Sequence, residues 1–430
     1  MNKIFSGNFN VEQFWKPENF IELPSIYNKN TDIVNTCMQE MFFVFCQKGD
    51  ILLTKYQFNP VYKSYLKSIG FNFDDVHIMN FNECHNINEN IFLLKEQNNL
   101  LLDLPKNKYY LDLFGCVSAA EHWCEQRNII YDFPKFSVIE RVNSKQFSNE
   151  LRNQIGAGYN TVLVKNIHEF KETGKDFLIK GKDFIIKDLY GVSGNGNILI
   201  QNEKVFERLM RHIIKQKDKK CCFVFEEFLF KKFDFSCVVS IEKDGSLNYL
   251  GIQKILTNHL AYIGTQNIDD RLKYLIEKNK YFDKIEKACQ IMFNCGYYGP
   301  VCFDSMCLED DRIVPIVEIN ARYSMSQIKI EIDEKFKKKG QFSVLKHINN
   351  IDLINSDINV LNDVFKSSIL FSEKGVLPLS ANTLDSKSFN QTKGKFYYYI
   401  LSDSIEELNR LDDEIQQLVN KNEKNCNLNS

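Results

Sequence analysis

Two short runs, Gly299-Pro300-Val301-Cys302-Phe303-Asp304-Ser305-Met306 and Ile316-Val317-Glu318-Ile319-Asn320-Ala321-Arg322, are separated by the turn signal Glu309-Asp310-Asp311-Arg312. Apolar residues dominate both runs, so each reads as a buried strand, and the turn folds the second back on the first. Such a hairpin sets Asp304 beside Glu318. Side chains alternate along a strand, so Glu318, Asn320 and Arg322 share one face. Two carboxylates and an amide form an oxygen donor set suited to Mg²⁺. An adjacent arginine suits bidentate bonding to a carboxylate or an acyl phosphate. The same pattern also fits a solvated strand face with a cross-strand ion pair.

Upstream lies Lys187-Asp188-Leu189-Tyr190-Gly191-Val192-Ser193-Gly194-Asn195-Gly196-Asn197, entered by the apolar strand Asp183–Lys187 and left by the strand Ile198–Ile200. Glycines let backbone N–H groups approach phosphate oxygens, and a preceding lysine neutralises charge. No Lys-Ser/Thr pair follows the last glycine, which excludes a P-loop. A strand rather than a helix follows, which excludes the dinucleotide-binding fingerprint. No kinase catalytic-loop signature follows either. A strand–loop–strand of this kind reads as a flap over phosphates, or as a plain hairpin turn. Between the two motifs, Phe223-Val224-Phe225-Glu226-Glu227-Phe228-Leu229 reads as an apolar strand ending in carboxylates. That arrangement suits the edge of a nucleotide base, or an exposed hinge.

The rest of the chain supplies the frame. Its 430 residues are enough for about two to three domains. A net charge of -2 argues against a dedicated nucleic-acid or anionic-membrane binder. The 13 cysteines are scattered and odd in number, which reads as reduced thiols. No apolar run is long enough to span a membrane, and the polar residues Asn8, Asn10, Glu12 and Gln13 break up any leader, so a cytoplasmic protein is expected. Residues 1–132 read as an α/β unit: strands at Met41–Phe45 and Asp50–Thr54, a helix over Asn59–Ile69 stopping at Gly70, then Val76–Ile78 and Ile91–Leu94, and a helix over 115–128. Residues 133–222 form a second unit, with a helix capped near Asn143-Ser144-Lys145, and 223–430 a third, ending in a helix over Ser404–Val419 and a frayed tail. His259, near Tyr262 and Gly264, is a candidate acceptor-site residue or a structural histidine. Cys302 and Cys307 are read as packing residues.

These pieces, in this order, resemble the ATP-grasp superfamily over about residues 140–325. The resemblance implies an α/β fold, α+β in the lid, with an N-terminal parallel-sheet domain. It implies ATP and Mg²⁺ (or Mn²⁺) as cofactors. It places Lys145 and Lys187 on phosphates, under a flap that includes Gly191, Ser193, Gly194 and Gly196. Glu226, Glu227 and Leu229 fall on the adenine-binding linker, and Asp234 in the ribose region, where the histidine of biotin carboxylases is missing. Asp304, Glu318 and Asn320 fall on the metal positions. Arg322 and Lys187 fall on catalytic ones. The run Asp50–Gly70, Val142–Lys145 and the glycine loop look like natural-product ligases with an extra N-terminal α/β domain, of the pheganomycin peptide-ligase kind or the butirosin-type glutamate–acyl-carrier-protein kind. That implies an ADP-forming ligase for an amino-acid or peptide carboxylate, with an amine or a carrier-protein thiol as acceptor, in antibiotic biosynthesis. Homodimerisation is left open, and a non-catalytic ATP-binding regulator is the competing class.

Overall fold

The computed structural model describes residues 1–24, 29–79, 89–94, 108–191, 196–258, 261–352, 371–385 and 393–426. The N-terminal unit comprises β1 (Asn2–Ser6), α1 (Lys29–Cys37), β2 (Ile51–Thr54), α2 (Pro60–Ser68), β3 (Asp74–His77), β4 (Tyr109–Leu113) and α3 (Ser118–Arg127). Its four strands are parallel, in the order β3-β2-β1-β4. Helix α2 begins where the sequence says it should. Asn59 accepts from the N–H groups of Val61 and Tyr62, and Pro60 occupies the first turn, where no N–H is needed. Two expectations fail here. Met41–Phe45 is part of a 3-10 helix, Met38–Phe45, rather than a strand, and Ile91–Leu94 is a turn. The first is an all-apolar run within a stretch that is buried throughout from Met38 to Val44. Without alternation, such a run carries no period that separates strand from helix.

The second layer comprises α4 (Phe136–Val142), α5 (Lys145–Gln154), β5 (Thr161–Val164), α6 (Ile167–Ile179), β6 (Phe184–Asp188), β7 (Asn197–Ile200), α7 (Glu203–Ile214) and β8 (Phe223–Glu227). Its antiparallel sheet has the order β5-β8-β6-β7, so β8 lies hydrogen-bonded between β5 and β6. An arm from the N-terminal unit docks on this lid. Phe20 bridges to Lys220, and Ile21 and Leu23 are buried in the lid core.

The third layer comprises β9 (Lys231–Ile241), β10 (Leu247–Asn258), β11 (Ala261–Asn267), α8 (Asp270–Lys278), α9 (Tyr281–Asn294), β12 (Gly299–Leu308), β13 (Ile313–Asn320), α10 (Met325–Phe336), β14 (Phe342–Asp352), β15 (Gly375–Pro378), β16 (Lys393–Ser402) and α11 (Ile405–Cys426). The eight strands run β13-β12-β9-β10-β11-β14-β16-β15, antiparallel throughout. Helix α11 continues past the expected end at Val419 to Cys426. Helix α10 lies on one sheet face, where Ser326 meets Ser236 at 2.7 Å. Helix α11 covers the other face, with Asp412 taking Lys346 at 2.5 Å and the Tyr398 hydroxyl at 2.7 Å. One continuous apolar core joins the eight-stranded sheet to the N-terminal unit. No helix among the described residues is long and apolar enough to cross a membrane.

Candidate active site

The hairpin β12–β13 builds the floor. Its register sets Cys302 opposite Asn320 and Asp304 opposite Glu318, so the two carboxylates meet on one face. Asn320 donates from Nδ2 to Asp304 Oδ2 at 2.8 Å, and Arg322 donates to Asn320 Oδ1 at 2.9 Å. Asp304, Glu318, Asn320 and Arg322 line a cavity of about 380 Å³ roofed by Lys187, Tyr190 and Gly191 of the lid. That volume is in the range of small-molecule sites. Burial, then the neighbouring Glu318, pushes the Asp304 carboxyl up to about 7. Crowded carboxylates held out of water favour a cation between them. No group of three or more His, Cys, Asp or Glu side chains is gathered for a metal among the described residues. Two carboxylates and an amide nonetheless fit Mg²⁺, which is usually held by one or two carboxylates and completes its shell with water and phosphate oxygens.

Lysine 145 opens α5, where Ser144 caps the helix by accepting from Phe147 N–H at 3.1 Å. Its Nζ donates to the Gly191 carbonyl at 2.6 Å and to Glu318 Oε1 at 3.2 Å, so it joins flap and floor. Lysine 187, on β6, is ion-paired with Glu226. Glu226 also accepts from Arg152 at 2.8 Å and from the Tyr159 hydroxyl at 2.9 Å. Burial alone would raise this carboxyl, but Lys187 and Arg152 outweigh burial and hold it at about 2. The same contact with Glu226 overcomes the burial penalty on Lys187 and raises its pKa. The Glu226 side chain is thus turned into the lid and does not line the cavity.

Glu227, the last residue of β8, pairs with Lys182 at 2.7 Å, and Leu229 packs against Met306, Leu308 and Val314. Asp234 lines the cavity, ion-paired with Lys231. Gly196 has φ +81°, and a Cβ there would stand 3.1 Å from the Gly191 Cα, so the two glycines close the neck of the β6–β7 hairpin. Ser193, Gly194 and His259 lie outside the described residues.

Sequence reading missed Glu12, Trp15 and Tyr262, all in the cavity wall. Glu12 is bonded to Arg322 at 2.5 Å, and the guanidinium stands 4.8 Å from the Phe114 ring centre. Asn8 explains how Glu12 arrives there. Its amide pairs with the backbone of Gly115, donating to the carbonyl at 2.7 Å and accepting from the N–H at 3.2 Å. That clamp joins the segments beyond the carboxyl ends of β1 and β4. The connections from β1 and towards β4 diverge there, and open α/β sheets hold ligands at such points. Position just past β1 was the available signal for Glu12. Tyr262 offered none.

Three layers in this order, with a lid hairpin over a carboxylate floor, are the ATP-grasp fold, and this chain has it. N5-carboxyaminoimidazole synthetase from Staphylococcus aureus, complexed with ADP, superimposes with a TM-score of 0.52 at 14% identity, over 90% of this chain and 94% of that one. Carboxyaminoimidazole ribonucleotide synthase from Aspergillus clavatus, complexed with ATP, gives 0.55 at 12% identity, over 98% and 99%. Biotin carboxylase from Campylobacter jejuni, in a β,γ-ATP complex, gives 0.51 at 12% identity, over 86% and 85%. No protein-family model and no curated protein sequence matches the chain.

Proposed function

We propose that the chain is an ADP-forming ligase that uses ATP to activate a carboxylate and joins it to an amine or a thiol. The observation that carries this reading is the meeting in one cavity of the pair Asp304 and Glu318 with Lys187 and Arg322, and with Lys145 bonded to Glu318 behind them. Catalysis of phosphoryl transfer is mostly positioning and charge neutralisation, and this is a set of residues for both. Lys145 and Lys187 bind the ATP phosphates beneath the β6–β7 hairpin. Asp304, Glu318 and Asn320 would hold Mg²⁺, which supplies charge neutralisation at the phosphates. Arg322 orients the substrate carboxylate. One carboxylate oxygen attacks the γ-phosphorus as the bond to ADP breaks, giving an acyl phosphate. The acceptor then attacks the acyl carbon, loses its proton, and expels phosphate as the amide or thioester forms. The lid hairpin excludes water from the acyl phosphate.

An amino-acid or peptide carboxylate in natural-product biosynthesis is supported by the resemblance of the glycine loop and the Val142–Lys145 segment to ligases of that group. Loading of glutamate onto an acyl carrier protein is the thiol version. The test is ADP release with pooled amino acids, with and without a phosphopantetheinyl carrier protein, followed by product mass spectrometry. Glu318→Gln and Lys187→Ala are expected to lower ADP formation by about 100-fold or more. Near-wild-type turnover in either variant overturns the site. ATP binding with no ADP release across the whole screen favours a nucleotide-binding regulator.

A further inference from the structure

The register of the eight-stranded sheet carries the active-site face across to its far side. Asp304 lies opposite Ser236, Ser236 opposite Gln253, and Gln253 opposite Asn267. Thr265, two residues from Asn267, lies opposite Leu345, and Leu345 opposite Tyr399. Alternation from Leu345 and Tyr399 puts His347, Tyr397 and Lys395 on that same face. The face opposite carries Lys346 and Tyr398, which α11 covers through Asp412. Tyr397 reaches the N-terminal unit, its hydroxyl 3.0 Å from Met38 Sδ. The strip from Asp304 to Lys395 therefore runs between the large sheet and the N-terminal unit.

Three polar groups gather at its end. Tyr262 lines the cavity, and its ring lies 5.8 Å from that of His347. His347 lies 5.4 Å from the Tyr397 ring, and the Lys395 ammonium 4.8 Å from that same ring. The Tyr262 hydroxyl and His347 Nδ1 are buried without a hydrogen-bond partner among the described residues. Lys395 is half-buried, no carboxylate among the described residues is paired with it, and this partial burial pulls its pKa down to about 8. By contrast, the buried cations Lys145, Lys187, Arg152 and Lys329 are each paired with a carboxylate. Unpaired buried donors are costly, and an anion with several acceptor oxygens satisfies them together.

We propose that Lys395, Tyr262 and His347 form an anion subsite that adjoins the nucleotide cavity at Tyr262 and binds a carboxylate or phosphate group on the substrate that shares the cavity with ATP. This rests on the ligase reading and adds a substrate class to it. The substrate carries an anionic group besides the one that reacts.

The test is calorimetric titration of the full-length protein with inorganic phosphate and, separately, with succinate, in an amine buffer, with a non-hydrolysable ATP analogue at saturation. The phosphate and succinate arms separate the two anion sources. Wild type is expected to bind one probe saturably. Lys395→Met is expected to weaken it about tenfold or more, Tyr262→Phe by less, and Lys395→Arg to restore most of it. Affinity for the ATP analogue, measured first, is expected to stay within about twofold in both Lys395 variants, since that side chain does not line the nucleotide cavity. Equal probe affinity in wild type and both Lys395→Met and Tyr262→Phe, or no saturable binding of either probe, overturns the subsite. Failure of the wild type to bind the ATP analogue overturns the ligase reading instead.

Discussion

Arg152 has no exposed surface, and a single carboxylate, Glu226, neutralises both it and Lys187. Its guanidinium also donates to the carbonyl of Val317 at 3.1 Å and lies over the Tyr159 ring at 4.3 Å. The lid and the floor strand β13 are therefore tied by one buried charge cluster. Glu226→Gln keeps the shape and removes the negative charge, leaving two buried cations without an anion. Breaking a buried pair from one side costs about 3–5 kcal/mol. Urea denaturation of the variant at neutral pH should show a loss of that size at unchanged slope, and a loss under about 1 kcal/mol would mean that the cluster contributes little. The pH dependence has a definite sign. The Glu226 carboxyl lies at about 2, below its usual 4.5, so its contribution is complete above about pH 4.5 and is lost as pH falls towards 2.

Helices α6 and α7 pack through a glycine. A Cβ on Gly174 would lie 2.0 Å from the Phe206 ring, which is itself stacked on Phe170 at 5.9 Å. Alanine improves intrinsic helix propensity by up to about 1 kcal/mol, but overpacking a filled core costs about 1–3 kcal/mol. The rings cannot yield cheaply, because Phe206 also abuts Phe184 and Phe170 abuts Phe223 and Phe225. Gly174→Ala is expected to lower the melting temperature, and an unchanged or raised value would show that the ring moves aside. At this scale the sequence was readable where local chemistry decides. Asn59-Pro60 and Ser144-Lys145 start helices by capping, and the β12–β13 hairpin brings Asp304 to Glu318 through alternation and one turn. It was unreadable where every side chain is buried, as from Met38 to Val44, because uniform burial removes the period that tells helix from strand. Glu226 shows the limit for single side chains. Its strand was legible, but its direction depends on Arg152, which comes from a separate helix.

The molecule as a whole is held together by contacts between distant parts of the chain, and these were the least legible. Glu12 meets Arg322, and Tyr262 meets His347, across separations that no local pattern reports. Glu40 is another such contact. It rises from the N-terminal unit and accepts, on one oxygen, from the Ser380 hydroxyl at 2.8 Å and from the N–H groups of Ala381 and Asn382 at 2.8 and 3.0 Å. Nearby, the Tyr62 hydroxyl donates to the Pro378 carbonyl at 2.8 Å and Asn382 donates to the Gln57 carbonyl at 2.9 Å. The segment after β15 is thereby fastened to the N-terminal unit. Among the described residues no cation is paired with Glu40. Burial outweighs the hydrogen bonds from Asn382, Ser380 and Ala381, and pushes its carboxyl from 4.5 up to about 7. The folded chain then keeps a proton that the unfolded chain releases, so stability falls as pH rises from about 4.5 to about 7 and is level above that. The difference across that window is on the order of 3 kcal/mol. Glu40→Gln keeps an acceptor oxygen for the three donors and cannot ionise. Thermal melts of wild type and variant from pH 5 to pH 8 should therefore diverge, with the variant gaining on the wild type as pH rises. Parallel curves would mean that Glu40 ionises in the folded chain as readily as in the unfolded one.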